Sequence, residues 1–283
     1  MRHDAVRRWI STIVVWLCGL SVVVALVPLA LVLFFVISQG VQALNWNFFT
    51  ALPAPVGEAG GGFANAIVGT LILIGIGAAF AVPIGIISGV YIAEFPATKL
   101  ATMARFAADT LNGVPSIVVG IFVYGLAVMP FRQFSAIAGG IALGIMMIPI
   151  VTRTTEELLK LVPPALREGA LALGATRGRA TLTVVLPAAA PGIITGVVLA
   201  LARISGETAP LLFTAFNNRF MSADPTQPIS SLTVQVFTYA ISPYEDWHRQ
   251  AWAGALVLVS SVLFCSILAR VATRRLERLQ TGS

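Results

Sequence analysis

Charge is what this chain has least of. Only 11% of its 283 residues are Asp, Glu, Lys or Arg, against about 25% in soluble domains. Apolar residues make up 57%, and the mean hydropathy is +0.90. That balance excludes a water-soluble enzyme and describes an integral membrane protein. Lysine is rarer still. Lys99 and Lys160 are the two lysines, each is followed by Leu, and neither ends a Gly-x4-Gly stretch. The chain therefore carries no P-loop and does not hydrolyse ATP by that chemistry. The two histidines, His3 and His248, stand in polar flanks, and no Ser/His/Asp or HExxH arrangement occurs. The two cysteines, Cys18 and Cys265, lie inside apolar runs, where they read as small hydrophobes rather than as a disulfide framework or metal site. No low-complexity segment and no clear internal repeat is evident.

What the chain does have is long apolar runs. Six stretches, at about 10–38, 64–93, 107–129, 134–156, 188–210 and 250–270, suffice to cross roughly 30 Å of hydrocarbon as helices. The first follows Arg2, Arg7 and Arg8 and imitates a secretory signal. Its apolar run exceeds the roughly 7–15 residues of a signal core, so it reads as an uncleaved anchor. The pI near 10.0 does not point to nucleic acid, because the basic residues sit at the ends of apolar spans. With the N-terminus inside, fourteen Lys and Arg fall in inner segments, only Arg132, Arg219 and Arg249 fall in outer ones, and Arg203 lies within a span. Positive charge stays on the cytoplasmic side, so both termini and the loop at about 157–187 are expected there. Residues 1–63 read as a peripheral helix and outer loop, with Pro53, Pro55 and Gly60-Gly61-Gly62 as a flexible join. Residues 64–283 read as a five-helix core. The recurrent glycines of the spans allow close helix packing in lipid. The outer stretch 211–249 is long and polar, with a short surface helix expected near 230–240.

The loop at 157–187 holds Glu168-Gly169-Ala170-Leu171-Ala172-Leu173-Gly174, then nine residues and Val184-Val185-Leu186-Pro187. Pro163-Pro164 suits the first turn of a new helix. Glu168 is expected early in that helix, where a carboxylate complements the dipole. Gly169, Ala170 and Ala172 present a smooth surface, and Gly174 is expected to take positive φ and end the helix. Arg177 then opens a second short helix expected to run to Pro187. An amphipathic linker packed by small residues is the plainer reading of the composition. The full spacing resembles the EAA loop of ABC-importer permeases. That resemblance implies docking into a groove of a separate cytoplasmic ATPase, with Glu168, Gly169, Ala170, Gly174 and Arg177 at the contact. Gly169 stands where the general motif has alanine, and small size is kept.

Two further stretches are similar to one branch of that family, the phosphate-specific (Pst) permeases. They are Leu111-Asn112-Gly113-Val114-Pro115-Ser116-Ile117 and Ala202-Arg203-Ile204-Ser205-Gly206-Glu207-Thr208-Ala209-Pro210-Leu211-Leu212-Phe213-Thr214. The resemblance covers about residues 60–270. It implies an all-α fold with six transmembrane helices, a type I ABC-importer transmembrane domain with a cytoplasmic coupling helix. It implies import of inorganic phosphate through the bacterial plasma (inner) membrane. The implied partners are a second, similar permease, two copies of a P-loop ATPase and an external phosphate-binding protein. ATP and Mg would belong to the ATPase, with no cofactor on this chain.

The residues agree on the sign of the substrate. Charges inside a span are functional candidates by default, and guanidinium suits bidentate contact with phosphate. Arg203 and Glu207, four apart, are expected to share a helix face. They either serve the anion, with Glu207 limiting its retention, or neutralise each other between helices. Arg153, closing the fourth apolar run, either joins the path or snorkels at the interface. Pro115, with Ser116 beside it, and Pro149 are expected to free backbone groups to line a cavity. Transport of another oxyanion (molybdate, sulfate), a secondary transporter and a membrane-embedded regulatory subunit are the competing readings. A secondary transporter leaves the EAA-like loop unexplained and lacks the internal repeat expected of it.

Overall fold

The computed structural model describes residues 2–281 apart from 57 and 59, with side chains at 7, 9–56, 58, 60–268, 270 and 271. The side chains of Arg2, His3 and Arg8, and of Arg274, Arg275 and Arg278, lie outside the described residues. Every named element among the described residues is helical. Five helices are long and apolar enough to cross a membrane: Trp9–Ala43, Ala64–Glu94, Ala136–Leu161, Arg177–Ser205 and Glu245–Leu268. A sixth crossing requires the pair Lys99–Gly113 and Ser116–Val128, which bend by 105°. The expected span 107–129 is thus not one straight helix. Val114 is extended, as a residue before proline prefers, and Pro115 starts a new helix because it has no N–H to continue the old one.

Helix α1 (Arg2–Ala43) leads into the short α2 (Trp46–Thr50). Phe48 of α2 and Phe63, the cap of the next helix, are buried and stack at 4.8 Å, which holds the two ends of the join together. Helix α3 (Ala64–Glu94) pairs along its length with α6 (Ala136–Leu161). Lipid supplies no hydrophobic drive for helix association, so close approach has to do the work. Here it does: a Cβ on Gly89 would come within 2.6 Å of the Thr152 carbonyl. Helix α4 (Lys99–Gly113) packs on α6 and buries Ala101 and Ala108. Helix α5 (Ser116–Val123) ends in a π-helical turn, Tyr124–Val128.

Helix α6 continues to Leu161, past the end of its apolar run, because the charges there are paired, as described below. Its first turn is capped from outside. The N–H groups of Ser135, Ala136 and Ile137 donate to the carbonyls of Thr214, Gln227 and Pro225 at 3.0 Å each. Those orphan donors anchor the segment 214–227 on the core. Helices α7 (Pro164–Ala172) and α8 (Arg177–Ala180) follow. The second does not stop at Pro187. It passes through a π-helical turn, Thr181–Val185, into α9 (Leu186–Ser205). The wide turn accommodates the proline ring without a break, since Pro187 falls in the first turn of α9.

The fifth apolar run ends at Ser205 rather than near 210, with Gly206 as its cap, and Pro210 opens α10 (Ala209–Thr214). Helix α11 (Leu232–Ala240) is not a surface helix: Leu232, Thr233, Val234, Gln235 and Tyr239 are buried. Thr70 of α3 accepts the Leu232 N–H at 2.8 Å and fixes its start. Helix α12 (Glu245–Thr281) closes the chain and packs on α1, α9 and α11.

Candidate functional site

Helix α7 buries none of its residues within the chain. Glu168 is exposed and sits in the second turn, not the first, because the helix already begins at Pro164. Gly169 is exposed, and a Cβ added there meets nothing within 4 Å. No packing inside the chain requires glycine at that position, although glycine weakens a helix by about 1 kcal/mol relative to alanine. Gly174 takes φ +85° and turns the chain. Its N–H donates to the Leu171 carbonyl at 2.9 Å, and that of Ala175 to Ala170 at 3.1 Å, closing the helix end. Thr176 then caps α8 by accepting from the Arg179 N–H, and Arg177 stands exposed. The result is an exposed helix–glycine–helix projection with Leu173 92% exposed at its tip.

That projection is tied to the membrane core. Arg167 of α7 donates to Glu94, the last residue of α3, at 2.7 Å. A separate charge cluster is centred on Glu156, whose side chain is fully buried. Glu156 accepts from Arg105 at 2.9 Å, from Arg153 at 2.5 Å and from Lys160. Arg153 also reaches Asp109 at 3.0 Å. Three cations therefore converge on one carboxylate and hold α4 against α6. A carboxylate buried without such partners would be strongly destabilising. The Arg153–Glu156–Lys160 spacing of three and four residues is a sequence signal for part of this cluster. Arg105, Asp109 and Glu94 come from other helices, and no local pattern marks them.

The two stretches that resemble Pst permeases meet in space. Helix α5, opened by Pro115 and Ser116, packs on α10, which follows Glu207. The contact is tight at Gly120, where a Cβ would come within 2.6 Å of Pro210 Cα. Pro115 is exposed at the bend, and Ser116 is half-buried. Arg203 lies in the last turn of α9 and is exposed from this chain. Glu207 lies beyond the end of that helix, so the two do not share a helical face. No ion pair joins them among the described residues. The Glu207 carbonyl instead accepts from the Thr233 hydroxyl of α11 at 2.9 Å. Arg153 is thus bound into the Glu156 cluster, while Arg203 projects outward with its charge uncompensated by Glu207. Among the described residues no group of His, Cys, Asp and Glu is arranged to hold a metal ion.

Comparisons with known proteins agree with this architecture. The model of the family described as binding-protein-dependent transport system inner membrane component matches residues 81–281. The phosphate transport system permease protein PstA of Yersinia pestis is 44% identical over 95% of this chain and 92% of its own. That of Haemophilus influenzae is 43% identical over 94% of each. The probable PstA of Methanocaldococcus jannaschii is 32% identical over 94% of each. Among solved structures, a chain of a bacterial alginate ABC transporter superposes with a TM-score of 0.66 at 16% identity, covering 92% of this chain and 94% of that one. A chain of the inward-facing MetNI methionine ABC transporter gives 0.59 at 18% identity, covering 75% and 93%. These similarities place the fold among ABC-importer permeases. The chain belongs to the binding-protein-dependent transport system inner membrane component family and, within it, to the PstA phosphate transport permeases.

Proposed function

We propose that this chain is one permease subunit of an ATP-driven importer that carries inorganic phosphate into the cytoplasm. The observation that carries the reading is end-to-end similarity to PstA proteins, at 43–44% identity over 94–95% of the chain. Energy comes from a separate P-loop ATPase, present as two copies, which holds the ATP and Mg. A second, similar permease completes the membrane unit, and an external phosphate-binding protein delivers the anion. The subunit crosses the bacterial plasma membrane with both termini in the cytoplasm. Residues 1–63 form its peripheral part, and 64–283 form the core.

In this scheme the α7–α8 projection fits the ATPase groove through Glu168, Gly169, Ala170, Gly174 and Arg177. Movement passes through the Arg167–Glu94 pair into α3, and through the tight α3–α6 seam into the rest of the core. Arg203, exposed at the end of α9, offers a guanidinium to the anion at a point facing away from its own chain. That placement suits a path shared with the second permease. Pro115 and Ser116 form the corner where the α4–α5 bend opens toward the same region. Arg153 contributes lower in the path through the positive charge of its cluster.

The test is uptake of labelled phosphate by proteoliposomes holding the assembled complex. Uptake should require the ATPase and ATP. Uptake by the permeases alone would establish a secondary transporter. Uptake of molybdate or sulfate without phosphate would change the substrate.

A further inference from the structure

On the side of the molecule where α6 begins, the structure holds a cavity of about 120 Å³ between the outer loop and α11. One water needs only about 10–15 Å³ of such space. Asn217, Arg219, Gln235, Thr238, Tyr239 and Trp247 line it together with Pro53. Gln235 and Tyr239, one helical turn apart, are 1% and 4% exposed. Among the described residues neither Gln235 Nε2 nor the Tyr239 hydroxyl meets a partner in good hydrogen-bond geometry, and the amide and the hydroxyl face only each other. Leaving a buried donor poorly matched is costly, and each such group in a folded protein calls for an explanation.

The neighbours set the polarity of these groups. Gln235 Oε1 accepts from the Ser230 hydroxyl at 3.0 Å, which leaves the NH₂ end free. Asn217 Oδ1 accepts from the Asn218 N–H at 2.8 Å, which leaves its NH₂ free as well. Burial pushes the Tyr239 hydroxyl above its ordinary pKa, against the pull of Arg219 and of the Gln235 amide beside it, so it stays protonated and able to donate. Arg219 is braced by one bond to the Ala54 carbonyl at 2.7 Å and by the Trp247 ring, 5.8 Å from its guanidinium carbon. Trp247 in turn stacks on Tyr239 at 4.3 Å. No carboxylate lines the cavity. Glu58, Glu245 and Asp246 line a separate recess that shares only Trp247. One guanidinium, two amides and a phenol, all with donors to spare, suit an acceptor-only ligand of several oxygens.

We infer that this cavity is a binding site for a small tetrahedral oxyanion, an entry station ahead of Arg203. Helix α11 links the two places, since Thr233, two residues before Gln235, hydrogen-bonds the Glu207 carbonyl. This inference rests on the functional proposal for the identity of the anion, for the outward orientation of the cavity and for the place of Arg203 in the path.

The test uses the assembled complex with Cys18→Ala and Cys265→Ala, and Thr238→Cys as the reporter. An impermeant thiol reagent is added from the outer side. Inorganic phosphate should slow labelling several-fold, and chloride at equal ionic strength should not. Arg219→Gln should abolish the protection while labelling without phosphate continues. Tyr239→Phe, which removes only the hydroxyl, should weaken protection and guards against misfolding of the arginine variant. Equal labelling with and without every oxyanion overturns the site, as does protection that survives Arg219→Gln. Protection by sulfate or molybdate but not phosphate upholds the cavity and overturns the phosphate reading.

Discussion

Arg203 and Glu156 show two solutions to charge in a membrane-spanning helix. Glu156 is buried and surrounded by Arg105, Arg153 and Lys160, so its charge is answered within the chain. Arg203 is exposed and has no ion pair with Glu207 among the described residues. A span arginine left open toward a neighbouring surface is a candidate for the substrate itself. Arg203→Gln removes a charged contact worth roughly 1.5–3 kcal/mol, so initial phosphate uptake should fall about 10- to 100-fold while the ATPase still co-purifies. Because Gly206 ends α9 before Glu207, adding Glu207→Gln should not restore uptake. The two effects should add within about 0.5 kcal/mol in a double-mutant cycle. Restored uptake in the double variant would mean that the two residues pair during the transport cycle and that the arginine is structural.

Among the described elements, α7 is the one that buries none of its residues within the chain. Its small residues and the turn at Gly174 were legible in the sequence, because proline starts and glycine stops are local signals. Gly174→Val forces a β-branched side chain into a left-handed conformation, at about 1–2 kcal/mol. A Cβ there meets nothing within 4 Å, so the permease should still insert and fold while co-purification of the ATPase drops. Undiminished recovery of the ATPase, with normal transport-linked hydrolysis, would remove the docking assignment. Gly169 supplies a graded control at an equally open position. Gly169→Ala should leave ATPase recovery intact, and Gly169→Leu should reduce it. Other element boundaries were not legible. Pro187 looked like a stop, but the π-helical turn before it carries the helix on into α9. The apolar run 107–129 looked straight, since composition is blind to the 105° bend at Val114-Pro115.

At the scale of the whole molecule, the distribution of Lys and Arg sets a direction across the membrane that labelling can check. With Cys18 and Cys265 replaced by alanine, a cysteine at Thr176 should be shielded from an impermeant reagent outside intact cells. One at Ser222 should be labelled. The opposite pattern would invert the orientation and move the α7–α8 projection away from the compartment that holds ATP. By itself the sequence determined the membrane setting, the approximate spans, the helix–glycine–helix projection and the resemblance to Pst permeases. Each of these rests on composition, on local backbone chemistry or on spacing along one segment. The tertiary structure alone decided that α5 meets α10, that Arg167 holds Glu94, that Arg105 and Asp109 complete the cluster at Glu156 and Arg153, and that Gln235 and Tyr239 face a cavity with Arg219. Those contacts join residues far apart in the chain, and they arise from which helices pack against which, a matter that no local signal encodes.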